Sequence, residues 1–202
     1  MKIVLASQSP RRRELLTQAG FEFRVQSVKV SEIIEQNLNP ARVASHLATQ
    51  KAEACFEAYN YKNLQGFLIL GADTVVAVGD QILGKPETKE EAVHFLDLLS
   101  GRSHQVITGF CLIESGSGQK HVHWDETLVQ FKKLSQEEIQ SYVNSDEPYD
   151  KAGGYGIQGT AQNFVTGIQG SWTNVVGLPM EKMEEVIREE AWDVDRIPVG
   201  KP

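Results

Sequence analysis

The sequence predicts an α/β protein built on a mixed, twisted β-sheet flanked by helices. Three observations carry that prediction. Short apolar runs such as KIVLA, FLILGADTVVAV and SHQVITGFCLIE have the length and β-branched content of buried strands. Gly79-Asp80 and the Gly116-Ser117-Gly118 segment sit between such runs and make hairpin turns. Other runs are separated by helix-length segments, which make crossovers, so the sheet holds strands of both directions.

Taken in order, KIVLAS is a short buried strand. A helix follows, with Ser9 as cap, Pro10 at its first position and Gly20 at its end. FEFRVQSV alternates and reads as a second strand. NPARVASHLATQKAEACFEAY has helical periodicity. FLILGADTVVAV turns at Gly79-Asp80 into QILGKP. Thr88 with Glu91 forms a capping box for KEEAVHFLDLLS, which Gly101 ends. SHQVITGFCLIE and KHVHWDETLVQF are strands. Ser135 with Glu138 caps QEEIQSYVNS. DEPYDKAGGYGIQGT is a glycine-rich loop, NFVTGI and WTNVVG read as short strands, and LPMEKMEEVIREEA is the last helix. No repeat, linker or low-complexity stretch divides the chain, so residues 1–202 read as one domain, long enough to be two-lobed.

The bulk numbers narrow the function. Hydrophobic residues make up 41% of the chain, and the net charge is -7. That charge argues against a general nucleic-acid surface, so any basic site is local. Cys55 and Cys111 make no disulfide framework and read as buried, reduced thiols. The apolar run near the N-terminus is too short for a signal peptide, and none is long enough to span a membrane. The expectation is a cytoplasmic protein.

SQSPRRREL breaks a local rule. The first turn of a helix carries partial positive charge, and a cation there costs about 0.3–1 kcal/mol. Arg11, Arg12 and Arg13 all occupy that turn, where a glutamate at position 12 would complete a capping box with Ser9. A bound polyanion resolves the conflict: helix amides, the Ser7 and Ser9 hydroxyls and guanidinium forks suit phosphate. The end of the first strand is where open α/β sheets bind ligands. The plainer alternative is a solvated basic turn paired to nearby carboxylates.

Asp73 interrupts the apolar run FLILGADTVVAV. A buried carboxylate needs a partner, which a divalent cation, a lysine or a catalytic duty supplies; a strand-end aspartate held by backbone amides is the alternative. Gly71 lets another group approach the backbone closely. Lys85 in LGKP and Lys51 in ATQKAEA are candidate phosphate ligands, or else solvated surface lysines. Glu32 and Glu35 in SEIIEQ are candidate metal ligands, or surface. His121 and His123 share one strand face, but with no third ligand evident they read as an exposed edge. In DKAGGYGIQG, Tyr155 offers a ring for a base and Gln158 an amide for a base edge, though the loop matches neither the dinucleotide nor the P-loop pattern.

LASQSPRRRELL, GADTVV, LGKP, LSGRSHQVITG, DEPYDKAGGYGIQG and VVGLP stand in the order and spacing of one family. The chain thereby resembles the Maf proteins, nucleoside triphosphate pyrophosphatases with a fold like that of the inosine triphosphate pyrophosphatases, from Lys2 to the last helix. The resemblance implies metal-dependent hydrolysis between the α and β phosphates, with Mg²⁺, Mn²⁺ or Co²⁺, in a homodimer. It places the proton-accepting carboxylate on Asp73 and the phosphate-binding positions on Ser7, Arg12, Arg13, Lys51 and Lys85. It places an acidic helper for metal or water on Glu32, with Asp73 as the other metal ligand. Arg11, Thr74 and Gln158 resemble the branch that acts on dTTP and UTP. The branch that acts on 7-methylguanosine triphosphate has Trp, Gln and Glu there, residues that suit a cationic base. A nucleotide-binding regulator of cell division, with incidental hydrolysis, is the alternative function.

Overall fold

A computed structural model of the chain describes residues 1–30 and 38–197. The strands are β1 (Lys2–Leu5), β2 (Phe23–Val25), β3 (Phe67–Val78), β4 (Gln81–Leu83), β5 (Ser103–Glu114), β6 (Lys120–Phe131) and β7 (Val165–Gln169). The helices are α1 (Pro10–Gln18), α2 (Pro40–Ala58), α3 (Lys89–Leu99), α4 (Gln136–Val143), α5 (Trp172–Val176) and α6 (Met180–Glu189). The strands form one sheet in the order β2-β1-β3-β5-β6-β7, with β4 also on β3. β1 runs parallel to β2 and β3, and the β3–β4, β3–β5, β5–β6 and β6–β7 pairs are antiparallel. The mixed sheet is as expected.

Asp73 and Thr74 lie on a stretch of β3 that is paired on one edge alone. β5 covers one edge of β3 throughout. On the other edge β1 pairs only with Phe67–Leu70, and β4 only with Val76–Val78. Between them, Gly71 to Val75 of β3 has no strand on this edge among the described residues.

Each face of the sheet is covered by different helices. On one face, α1, α5 and α6 enclose a cluster around Leu68, Leu70, Phe110 and Leu112. Further along that face, α3 and α4 enclose a second cluster around Val76, Leu83, Val106 and Phe131. These are two lobes sharing β3 and β5. On the opposite face α2 lies directly on the sheet. A Cβ at Gly71 would stand 2.7 Å from the Ala52 backbone nitrogen, and one at Gly109 2.5 Å from that of Ser45. Gly71 does admit a close approach, and what approaches is α2.

Three local readings need correction. WTNVVG is helical over Trp172–Val176, capped by Ser171, whose hydroxyl accepts from the Asn174 N–H. Its Trp, Thr and Val residues favour strand, but Asn174 is tied into β5 and β6, and tertiary bonding overrides the propensity. The Ser135–Glu138 capping box closes in both directions. At Thr88 it closes only halfway, because the Glu91 carboxylate accepts from the Glu87 N–H instead. His121 and His123 lie on a part of β6 that β7 does not cover, but their rings are half-buried. His121 Nδ1 is 3.0 Å from Glu190 Oε1, with Trp192 edge-on at 4.8 Å, and His123 stacks on Phe110 at 5.5 Å.

Candidate active site

Asp73 and Thr74, on the open stretch of β3, line a cleft of about 640 Å³. Residues from the segment after β1, α1, the segment after β2, α2, β3, the turn after β4, β5, the glycine-rich segment and α5 reach its walls. Seven of the expected site residues line it together: Ser7, Arg11, Arg12, Lys51, Asp73, Thr74 and Lys85. In sequence they span 79 positions, so the convergence is a product of topology.

α1 follows β1 after four residues. Ser9 caps it, accepting from the Arg12 N–H at 3.4 Å, with Pro10 at the first position. Successive helical residues turn by about 100°, so three adjacent arginines cannot share one direction. Arg12 points inward and is buried. Its Nε donates to the Gly177 carbonyl at 2.7 Å, Nη1 to Ser7 Oγ at 3.1 Å and Nη2 to Thr74 Oγ1 at 3.3 Å. Arg11 lines the cleft, with Nη1 3.7 Å from Asp150 Oδ2. Arg13 is exposed and outside the lining.

Asp73 and Lys51 meet across the cleft from β3 and α2, and Lys51 Nζ donates to Asp73 Oδ1. The seating of α2 on Gly71 and Gly109 brings them together. The carboxylate inside the apolar strand therefore has a lysine partner. Lys85 is exposed at the rim, in the turn between β4 and α3.

The glycine-rich segment differs from expectation. Tyr155 lines the cleft, but its ring is buried in an aromatic cluster, edge-on to Phe131 at 4.7 Å and to His104 at 5.4 Å. Its hydroxyl lies 2.6 Å from His104 Nε2. Burial pushes the tyrosine pKa up and lowers that of His104 to about 4. The ring is thus part of the core and does not stand free to stack on a base. Gln158 is exposed and outside the lining, although Ile157 beside it is within. Glu32 and Glu35 lie outside the described residues.

Ser27–Val30 after β2, Asp150 and Lys151, and Val175–Gly177 also line the cleft, although the sequence assigns none of them a role. Asp150 and Lys151 had a signal in the charged pair opening DKAGG. Gly177 lies in the VVGLP motif, but its contribution is a backbone carbonyl, which no side chain announces. The cysteines behave as expected: both are free and buried, and burial pushes each thiol pKa to about 11.

A Cys, His, Asp or Glu cluster of three able to hold a metal is absent among the described residues. No helix among them is long and apolar enough to cross a membrane.

Comparison with known proteins adds three findings. The family of Maf-like proteins matches residues 2–190. A dTTP/UTP pyrophosphatase of Desulforamulus reducens is 45% identical over 92% of this chain and 95% of its own. Proteins of the same name from Bdellovibrio bacteriovorus and Bacillus pumilus are 42% and 44% identical over 92% of this chain, covering 96% and 95% of theirs. Among solved structures, the Ham1 protein of Staphylococcus aureus aligns with a TM-score of 0.42 at 14% identity, over 65% of this chain and 72% of that one.

Proposed function

The chain belongs to the Maf family, and we propose that it is a nucleoside triphosphate pyrophosphatase that converts dTTP and UTP to the monophosphate and pyrophosphate. The observation that carries this reading is the cleft itself. A carboxylate, Asp73, stands in one cavity with Ser7, Arg12, Lys51 and Lys85, a combination that suits a polyanion beside a proton acceptor.

In this reading the triphosphate lies along the open edge of β3. Arg12, already fixed by Ser7, Thr74 and Gly177, presents a preorganised guanidinium to the phosphates. Lys51 from α2 and Lys85 from the turn after β4 add charge. Asp73 accepts the proton of a water that attacks the α-phosphorus, and the bond to the β-phosphate oxygen breaks. The same cations offset the charge that develops on the leaving pyrophosphate. Lys51 exchanges its bond to Asp73 for a phosphate oxygen as the substrate enters. Arg11 stands at the base end of the cleft and disfavours a cationic base. Arg13 and Gln158, both outside the lining, receive no role in this assignment.

A divalent cation fits the site as a shared ligand of protein and substrate. Mg²⁺ and related ions bind through one or two carboxylates together with substrate phosphates. Asp73 would hold it, and when bound it would neutralise phosphate charge. We further place the protein in the cytoplasm, in keeping with its free thiols, and in a homodimer. The exposed Val122 and Trp124 on the part of β6 that β7 leaves uncovered support the dimer.

The test is pyrophosphate release from dTTP, UTP, CTP, GTP and 7-methyl-GTP, with Mg²⁺ or Mn²⁺ and with chelator. Metal-dependent turnover led by dTTP and UTP is expected. Preference for 7-methyl-GTP would overturn the specificity, and absence of turnover would overturn the activity.

A further inference from the structure

Asn174 is fully buried, yet no part of it lines the cleft. Its carboxamide is completely engaged. Nδ2 donates to the Val106 carbonyl and to Thr127 Oγ1, both at 2.9 Å, and Oδ1 accepts from the Thr108 N–H at 3.1 Å. A carbonyl on one side and an N–H on the other fix which way the amide faces. Thr108 and Thr127 are also fully buried. Thr127 Oγ1 donates to the Ser171 carbonyl at 3.1 Å and accepts from the Ser171 N–H at 3.0 Å. α5 is therefore pinned to β5 and β6 through polar bonds.

Two paths lead from this pin to Arg12. Along the backbone, Asn174 sits three residues before Gly177, whose carbonyl accepts from Arg12 Nε. Through side chains, Thr108 Oγ1 donates to the Asn174 carbonyl at 2.9 Å and lies 2.8 Å from Thr74 Oγ1. The single Thr108 hydroxyl proton is used on Asn174, so Thr74 donates to Thr108 and accepts from Arg12. The hydrogen bonds run in one direction, from Arg12 to Thr74 to Thr108 to the Asn174 carbonyl. Aligned bonds of this kind polarise one another in a dry interior.

We infer that Asn174 and Thr108 are positioning residues for Arg12. They fix two of its acceptors, the Gly177 carbonyl and the Thr74 hydroxyl, and so set the guanidinium where a phosphate group meets it. The inference rests on the assignment of Arg12 to the triphosphate. It also gives Thr74 a place in the site, through Arg12 and not through direct contact with a base.

The test measures UTP turnover and competitive inhibition by inorganic pyrophosphate in Thr108→Val, Thr108→Ser, Arg12→Lys and the Thr108→Val/Arg12→Lys double variant. Thr108→Val is expected to lower kcat/KM about tenfold or more and to weaken pyrophosphate inhibition, while Thr108→Ser, which keeps the hydroxyl, restores both. The double variant should be little worse than Arg12→Lys alone, because both changes act on one guanidinium. Losses that multiply, or a folded Thr108→Val enzyme with unchanged constants, would overturn the inference. Arg12→Lys with unchanged kinetics would instead remove the assignment of Arg12 on which it stands. Should Thr108→Val fail to fold, Thr108→Ala takes its place with the same expected and contrary outcomes.

Discussion

Lys51 on α2 donates a hydrogen bond to Asp73 in the middle of β3, so the carboxylate of the cleft is paired across two elements. Removing the proton acceptor while keeping its shape separates chemistry from binding. Asp73→Asn should lower kcat by about 10³-fold, the scale of general base catalysis, with KM for UTP changed only a few-fold. Pyrophosphate release by the purified variant checks this, and near-normal turnover would remove Asp73 from its role.

The seating of α2 on glycine is a second point of leverage. Gly71→Ala and Gly109→Ala each place a methyl group against α2 backbone, and overpacking of that kind costs about 1–3 kcal/mol. Both variants should show a lowered Tm. Gly71→Ala should also lower kcat/KM, since α2 carries Lys51. A wild-type Tm for either would contradict the close packing.

His104 makes the stability depend on pH. Burial lowers its folded pKa to about 4 from an ordinary value of 6.5. The unfolded chain therefore binds this proton more readily than the folded one. The stabilisation is complete above pH 6.5 and is lost as the pH falls towards 4, amounting to on the order of 3 kcal/mol. Denaturant midpoints measured at steps from pH 7 to 4 should fall in that window, and the fall should shrink in His104→Gln. An unchanged slope in the variant would assign the acid lability to other groups.

Chelation separates catalysis from folding. With no all-protein metal cluster among the described residues, EDTA should abolish turnover of UTP while leaving Tm in the absence of nucleotide unaltered. A chelator-induced drop in Tm would show that the apoprotein holds a structural ion.

Much of this site was readable from single residues that broke a local rule. Arg12 at the start of a helix and Asp73 inside an apolar strand both violate propensity, and both line the cleft. The sheet was legible because β3 and β5 are long apolar runs with turn residues beside them. What was not legible depends on partners distant in sequence. The cleft exists because β1 and β4 pair with different parts of β3, and register between separate strands leaves no local mark. Trp172, Thr173, Val175 and Val176 favour a strand where α5 forms, because the bonds that hold Asn174 come from residues some 50 to 70 positions away. Tyr155 offers a ring for a base in the sequence, where no local feature shows that His104 and Phe131 enclose it. Arg13 stands in the same arginine run, although helical geometry alone turns it away from Arg12.

The central claim is that the open edge of β3 positions a triphosphate for attack at its α-phosphorus. ³¹P NMR of the products formed from UTP tests it most directly. The account predicts UMP and inorganic pyrophosphate in equal amounts, with no UDP at any time point. Appearance of UDP and orthophosphate, or of tripolyphosphate, would contradict it.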